Sequence, residues 1–359
     1  MFVSATRSPI TLLQLGRRWM SVRPREVEHA PLKEGLPREF LLSWQIIVIF
    51  TVQFWTARKK VTIQSLQWQA VAQTPITMLT AYDFPTGRAC ESYGIDITLV
   101  GDSLAQVCLG YDSTTRLTMD EMVHHSRAVS RGSKTPLLVA DMPFGSYHTN
   151  TDDAVRNAVR LVREGCVEGV KLEGGEEMVE IVRKLTTIGI PVMAHVGLLP
   201  QRHTLMSGYR VQGRMASSAR GLLRSAVAMQ DAGAFAIVLE AIPHVLGSYI
   251  TSKLSIPTIG IGAGPGTSGQ VLVWDDVMST WSGHKAKFVR RFADVKSETE
   301  KGVMGFIGAV RERTFPDPEK EGYEMDKAEW DLLLKLEGAE GWGGKELNSM
   351  PLEQRRMVT

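Results

Sequence analysis

Residues 76–102 read ITMLTAYDFPTGRACESYGIDITLVGD: two short apolar runs, one closing on Asp83 and the other on Asp102, with a longer amphipathic stretch between them. Runs that are apolar along their whole length, rather than alternating, belong to strands buried on both faces, which means parallel β-structure covered by helices. The pattern repeats downstream. LLVAD ends at Asp141, GVKLE at Glu173, VMAH at His195, IVLE at Glu240 and TIGIGAG at Gly264, giving seven units. Helical stretches fit between them at 152–163, 176–185 and 218–231. An eighth strand is expected near 287–289. Seven or eight such units in about 255 residues fit a (β/α)8 barrel better than a doubly wound sheet.

Catalytic residues of such barrels lie at the C-terminal ends of the strands. Here those ends spell Asp, Asp, Asp, Glu, His, Glu. Any single Asp just after a strand can simply cap the next helix. Four or five carboxylates at one barrel mouth are costly unless a cation or shared protons relieve them. Oxygen ligands without Cys or a His pair suit a hard cation such as Mg²⁺. The adjacent His124 and His125 point about 100° apart on a helix and cannot chelate one ion, so they read as surface or core histidines. In a strand, residues two apart share a face, so Lys171 faces the barrel axis if Glu173 does, and Leu172 faces the helices. A buried lysine needs a carboxylate or an anionic substrate beside it. Gly264, Gly266 and Gly269 satisfy G-x-G-x-x-G, but Pro265 removes a donor and no acidic residue follows at the right distance, so a tight turn after strand seven is the plainer reading.

Composition agrees with an enzyme-sized globular body. The chain has 359 residues, 41 Lys+Arg against 39 Asp+Glu, 43% hydrophobic residues and three cysteines, Cys90, Cys108 and Cys166, without C-x-x-C spacing. The charge balance argues against a dedicated nucleic-acid binder, and the cysteines against a disulfide framework or zinc knuckle. Residues 1–60 differ: ten Lys/Arg against four Glu give +6, which leaves −4 for the rest of a chain whose total is +2. The first 25 residues hold five arginines and no acidic residue, the composition of a mitochondrial transit peptide, with an unstructured basic arm as the alternative, so a mitochondrial location is expected. Residues 40–57, FLLSWQIIVIFTVQFWTA, are uncharged and open to three readings: a membrane anchor, an apolar segment packed on the barrel, or a stretch absent from the mature protein. The catalytic barrel is expected over 61–325, followed by a short helix at KAEWDLLLKL and a polar tail over 326–359.

The blocks TAYD (80–83), VGDSL (100–104), GYDST (110–114), ADMPF (140–144), VKLEGG (170–175), AHVGLLPQ (194–201), GYRVQGR (208–214), VLEAIP (238–243) and IGIGAG (259–264) occur in the order found in the ketopantoate hydroxymethyltransferase family. This resemblance covers roughly residues 61 to 325. It implies a Mg²⁺-dependent (β/α)8 barrel of the phosphoenolpyruvate/pyruvate-binding type. The implied reaction carries a hydroxymethyl group from 5,10-methylenetetrahydrofolate to 3-methyl-2-oxobutanoate through a Mg-stabilised enolate, on the route to pantothenate. It further implies Asp102, Asp141 and Glu173 as metal ligands, Ser103 and Lys171 with Asp102 and Asp141 as keto-acid binders, and Glu240 as general base. A homo-oligomer is implied too, since bacterial relatives resemble decamers built from dimers. Arg116, Ala194 and Leu199 depart from the usual blocks and are expected in loops near the mouth. The mutase and lyase group that also binds 2-oxo acids usually carries a K-K-C-G-H-type loop, which this chain lacks. A non-catalytic relative would have lost a ligand or the base, and every such position is filled.

Overall fold

The computed structural model describes residues 58–337, so the expected transit segment, the apolar stretch 40–57 and most of the polar tail lie outside the described residues. Eight strands, β1 (Ile76–Thr80), β2 (Ile97–Val100), β3 (Leu137–Asp141), β4 (Gly169–Glu173), β5 (Val192–Gly197), β6 (Ala236–Glu240), β7 (Thr258–Ile261) and β8 (Gly269–Leu272), run parallel and close in sequence order, β8 pairing with β1. Helices follow most strands: α1 (Ile63–Val71) precedes β1, then α2 (Phe84–Ser92), α3 (Leu104–Val107), α4 (Met119–Gly132), α5 (Thr151–Arg163), α6 (Val179–Thr187), α7 (Ala216–Asp231) and α8 (His244–Lys253). Local sequence sets their starts. Thr118 and Glu121 form a reciprocal capping box at α4, and the Asn150 side chain accepts from Asp153 N at α5. Each such cap satisfies an otherwise orphaned N–H.

Strand parity divides the core in two. On β4, Val170 and Leu172 join the apolar layer between strands and helices, whereas Lys171 and Glu173 line the central cleft. Inside the barrel a second layer, which includes Ile76, Ile97, Leu137, Val139, Met193 and Val238, fills the space below that cleft. Leu66 of α1 and Val61 belong to this inner layer, so α1 plugs the N-terminal end of the barrel and leaves the C-terminal end for chemistry.

The eighth strand is not at 287–289. That segment is a turn, with Val289 N donating to Ala286 O, and β8 lies in the glycine-rich stretch instead. The physical reason is crowding: a Cβ on Gly269 would stand 2.4 Å from Ile76 O, so closure of β8 on β1 demands glycine and hides the apolar signature of a strand. After β8 come a five-residue helix, α9 (Trp274–Met278), then α10 (Val295–Glu312) and α11 (Lys327–Leu336), neither of the last two having a buried residue. Among the described residues no helix is long and apolar enough to cross a membrane, and all three cysteines are free.

Candidate active site

A cleft of about 210 Å³ opens at the C-terminal end of the strands, lined by Asp102, Ser103, Asp141, Lys171, Glu173 and Glu240 together. All six residues singled out from the sequence therefore share one site. Asp83 does not. Its carboxylate accepts from Thr86 N at 2.8 Å and caps α2, the bland reading open to any aspartate after a strand. His124 and His125 also stand apart from the cleft, His125 Nδ1 lying 2.6 Å from Tyr82 O. Ala194 is inside β5 and packs toward the helices, as parity with His195 requires, and not in a mouth loop; Leu199 and Arg116 do lie in loops or short turns.

Asp141 is the hub of the acidic side. Its Oδ1 accepts from Lys171 Nζ at 2.7 Å and its Oδ2 from Asp102 N at 2.9 Å, all in buried surroundings. Burial alone would discharge the Lys171 ammonium, but Asp141, Asp102 and Glu173 outweigh it and hold the lysine above its ordinary range. Burial and the Asp141 carboxylate push Asp102 up to about 7 against the pull of Lys171. Glu173 is driven well up by burial and by Asp102.

On the other side stands Glu240, at the end of β6 and so diametrically opposite β2 in an eight-strand ring. Burial raises its carboxyl to about 8, with Lys171 opposing the rise. Its backbone is fixed by close approach. Leu198 N donates to Glu240 O at 2.9 Å, and a Cβ on Gly197, whose φ is +105°, would come within 2.2 Å of that oxygen. Only glycine lets β5 and β6 meet this way.

Three groups of supporting residues were not assigned roles from the sequence. His195 lies between the carboxyls, Nε2 at 3.2 Å from Glu240 Oε2 and Nδ1 at 3.8 Å from Glu173 Oε1, although neither nitrogen makes a well-aligned hydrogen bond. Burial and the Lys171 charge hold its imidazole well below the ordinary range, so it is neutral and able to share a proton with Glu240. Gln201 ties the acids together: Nε2 donates to Asp102 Oδ2 (2.9 Å) and Met142 O (3.0 Å), its backbone N donates to Glu173 Oε2 (3.0 Å), and Oε1 accepts from Tyr147 (2.7 Å). The third is a directed chain. Trp274 N donates to Thr80 Oγ1 (2.8 Å), Thr80 donates to the Tyr82 hydroxyl (2.7 Å), and Tyr82 lies 2.8 Å from Ser103 Oγ. Either hydroxyl of the Tyr82–Ser103 pair can donate, and with Tyr82 as donor the Ser103 hydrogen is free for a ligand. Gln201 carried a signal, as the polar end of AHVGLLPQ; Tyr82 and Tyr147, buried tyrosines, carried none beyond their need for partners.

The donor set suits Mg²⁺. Asp102, Asp141, Glu173 and Glu240 share the cleft with the Lys171 ammonium. The crowding that raises Asp102 and Glu173 is what a bound dication would relieve, and Mg²⁺ takes one or two carboxylates plus water and substrate oxygens. No group of three or more His, Cys, Asp or Glu closes around one point among the described residues. The three carboxylates expected as ligands share the cleft, and Glu173 Oε2 accepts from Gln201 N.

The sequence matches the profile of ketopantoate hydroxymethyltransferase over residues 60–318, most of the chain. This chain belongs to the ketopantoate hydroxymethyltransferase family. It is 46% identical over 280 residues to the 3-methyl-2-oxobutanoate hydroxymethyltransferase of Emericella nidulans, covering 76% of this chain and 80% of that one. The enzyme of the same name from Syntrophotalea carbinolica is 50% identical over 262 residues, covering 73% and 98%. Among solved structures, 2,3-dimethylmalate lyase aligns with a TM-score of 0.46 at 16% identity, over 77% of this chain and 98% of that one. As a member of the ketopantoate hydroxymethyltransferase family, the chain is an enzyme, and its class is transferase.

Proposed function

We propose that the chain transfers a hydroxymethyl group from 5,10-methylenetetrahydrofolate to 3-methyl-2-oxobutanoate, giving 2-dehydropantoate and tetrahydrofolate for pantothenate synthesis. The observation that carries this reading is the single cleft shared by Glu240, whose carboxyl burial raises to about 8, and the hydrogen-bonded Asp102–Asp141–Lys171 group. Asp102 and Asp141 would hold Mg²⁺, with Glu173 behind them. When bound, Mg²⁺ supplies Lewis acidity toward the oxygens of a 2-keto acid and so makes its C3 proton more acidic. The Ser103 hydroxyl and the Lys171 ammonium orient the keto acid and offset its negative charge. Glu240 removes the C3 proton, and Lys171 stabilises the charge that develops on the keto oxygen. The new carbon–carbon bond joins C3 to the one-carbon unit of the folate; one water supplies the hydroxyl oxygen, and tetrahydrofolate leaves.

Two further readings belong here. A homo-oligomer is supported by α10, which exposes Val303, Met304 and Phe306 and has no fully buried residue. Import into mitochondria is supported by the arginine-rich start of the chain.

The test is formation of 2-dehydropantoate from the two substrates, followed across pH with and without a chelator. Glu240 is a base only as carboxylate, so the fraction protonated below its pKa is inactive. Turnover is expected to rise with pH through a midpoint at or below about 8, bound Mg²⁺ drawing it downward, and to vanish with chelator. A folded protein that makes no product at any pH with Mg²⁺ present contradicts the reading.

A further inference from the structure

The floor of the cleft is fully engaged by the keto-acid chemistry, but its rim is not. Tyr209 lines the rim with its side chain 56% exposed, and one face of its ring is covered by the His203 ring, 5.7 Å away and within 4° of parallel. Phe288 comes to the same rim from the turn after α9, packed against Gly262. Asp276 of α9, the short helix after β8, belongs to the same cleft. Among the described residues its carboxylate makes neither a hydrogen bond nor a close ion pair, Arg291 and Lys285 acting on it only at longer range. Burial and the adjacent Asp275 hold that carboxyl above the ordinary aspartate range, a condition that a pair of donors from a ligand would relieve.

A flat ring stacked on the open face of Tyr209 with two adjacent N–H donors on its edge fits these residues. The pterin of a folate has that chemistry, its N3–H and 2-amino group forming a two-donor edge that one carboxylate can accept. We propose that Tyr209 and Asp276 form the pterin subsite of the cleft, Tyr209 stacking on the ring and Asp276 accepting from its N3–H and 2-amino edge. At about 210 Å³ the cleft is smaller than sites that enclose drug-sized ligands, so it takes the keto acid and the reacting end of the folate while the glutamate tail stays outside. This subsite rests on the folate reading above.

Steady-state kinetics of the full-length Tyr209→Leu, Tyr209→Phe and Asp276→Asn enzymes, with equilibrium binding of tetrahydrofolate to each, test it. Tyr209→Leu and Asp276→Asn are each expected to raise KM for methylenetetrahydrofolate and Kd for tetrahydrofolate about tenfold or more, while KM for the keto acid moves less than about twofold. Tyr209→Phe keeps the ring and should stay within about threefold of the parent in folate binding. Unchanged folate parameters in Tyr209→Leu and Asp276→Asn overturn the subsite. So does an equal rise in both KM values, which would place these residues with the keto acid. A parent enzyme that exchanges the C3 proton of the keto acid but neither binds tetrahydrofolate nor uses methylenetetrahydrofolate overturns the folate reading itself, and the subsite with it.

Discussion

Replacing Glu240 with glutamine is expected to lower turnover by about a hundredfold to ten-thousandfold, the range over which a positioned general base contributes. The amide keeps the size of the carboxylate but cannot accept the C3 proton. Keto-acid affinity should hold within a few-fold, because the binding groups, Ser103 after β2 and Lys171 on β4, belong to other strands of the ring than β6. His195 stands beside that position, but burial and the Lys171 charge depress its imidazole and make it a poor substitute. Steady-state rates together with isothermal binding of the keto acid check this. Near-normal turnover in Glu240→Gln removes Glu240 from the role of base.

Lys171→Met should be the most damaging substitution for stability. It leaves Asp141 buried with only the Asp102 N–H beside it, and removing one partner of a buried ion pair costs about 3 to 5 kcal/mol. For a barrel of this size that is a fall in Tm on the order of 10 °C. Because Asp102 and Asp141 would hold Mg²⁺, the added dication should restore part of the loss in the variant, while keto-acid binding stays weakened. Thermal melts of both proteins with and without Mg²⁺ decide it; a variant that melts with the parent would show that the Lys171–Asp141 pair contributes no net stability.

Much of this site could be read in the sequence because a parallel barrel imposes simple rules. The ends of the apolar runs placed Asp102, Asp141, Glu173 and Glu240 at one mouth, and the two-residue period of β4 turned Lys171 inward with Glu173. The same rules were blind where glycine replaces apolar side chains. β8 is hidden because Gly269 must make room for Ile76, and the turn carrying Phe288 has more of a strand's apolar character in sequence than β8 does. They were blind also to roles that depend on tertiary contact. His195 ended a strand like the acids, yet its place between Glu173 and Glu240 is set by the register of β4, β5 and β6. The chain from Trp274 through Thr80 and Tyr82 to Ser103 joins residues 194 positions apart at its first step, beyond the reach of any local pattern.

The most direct measurement of the central claim is proton exchange at C3 of 3-methyl-2-oxobutanoate in D₂O, followed by NMR with the purified full-length protein and no folate. Exchange that requires Mg²⁺ is the predicted result, since enolisation needs only the keto acid, the metal and Glu240. A folded, Mg²⁺-loaded protein that leaves the C3 proton in place would contradict it.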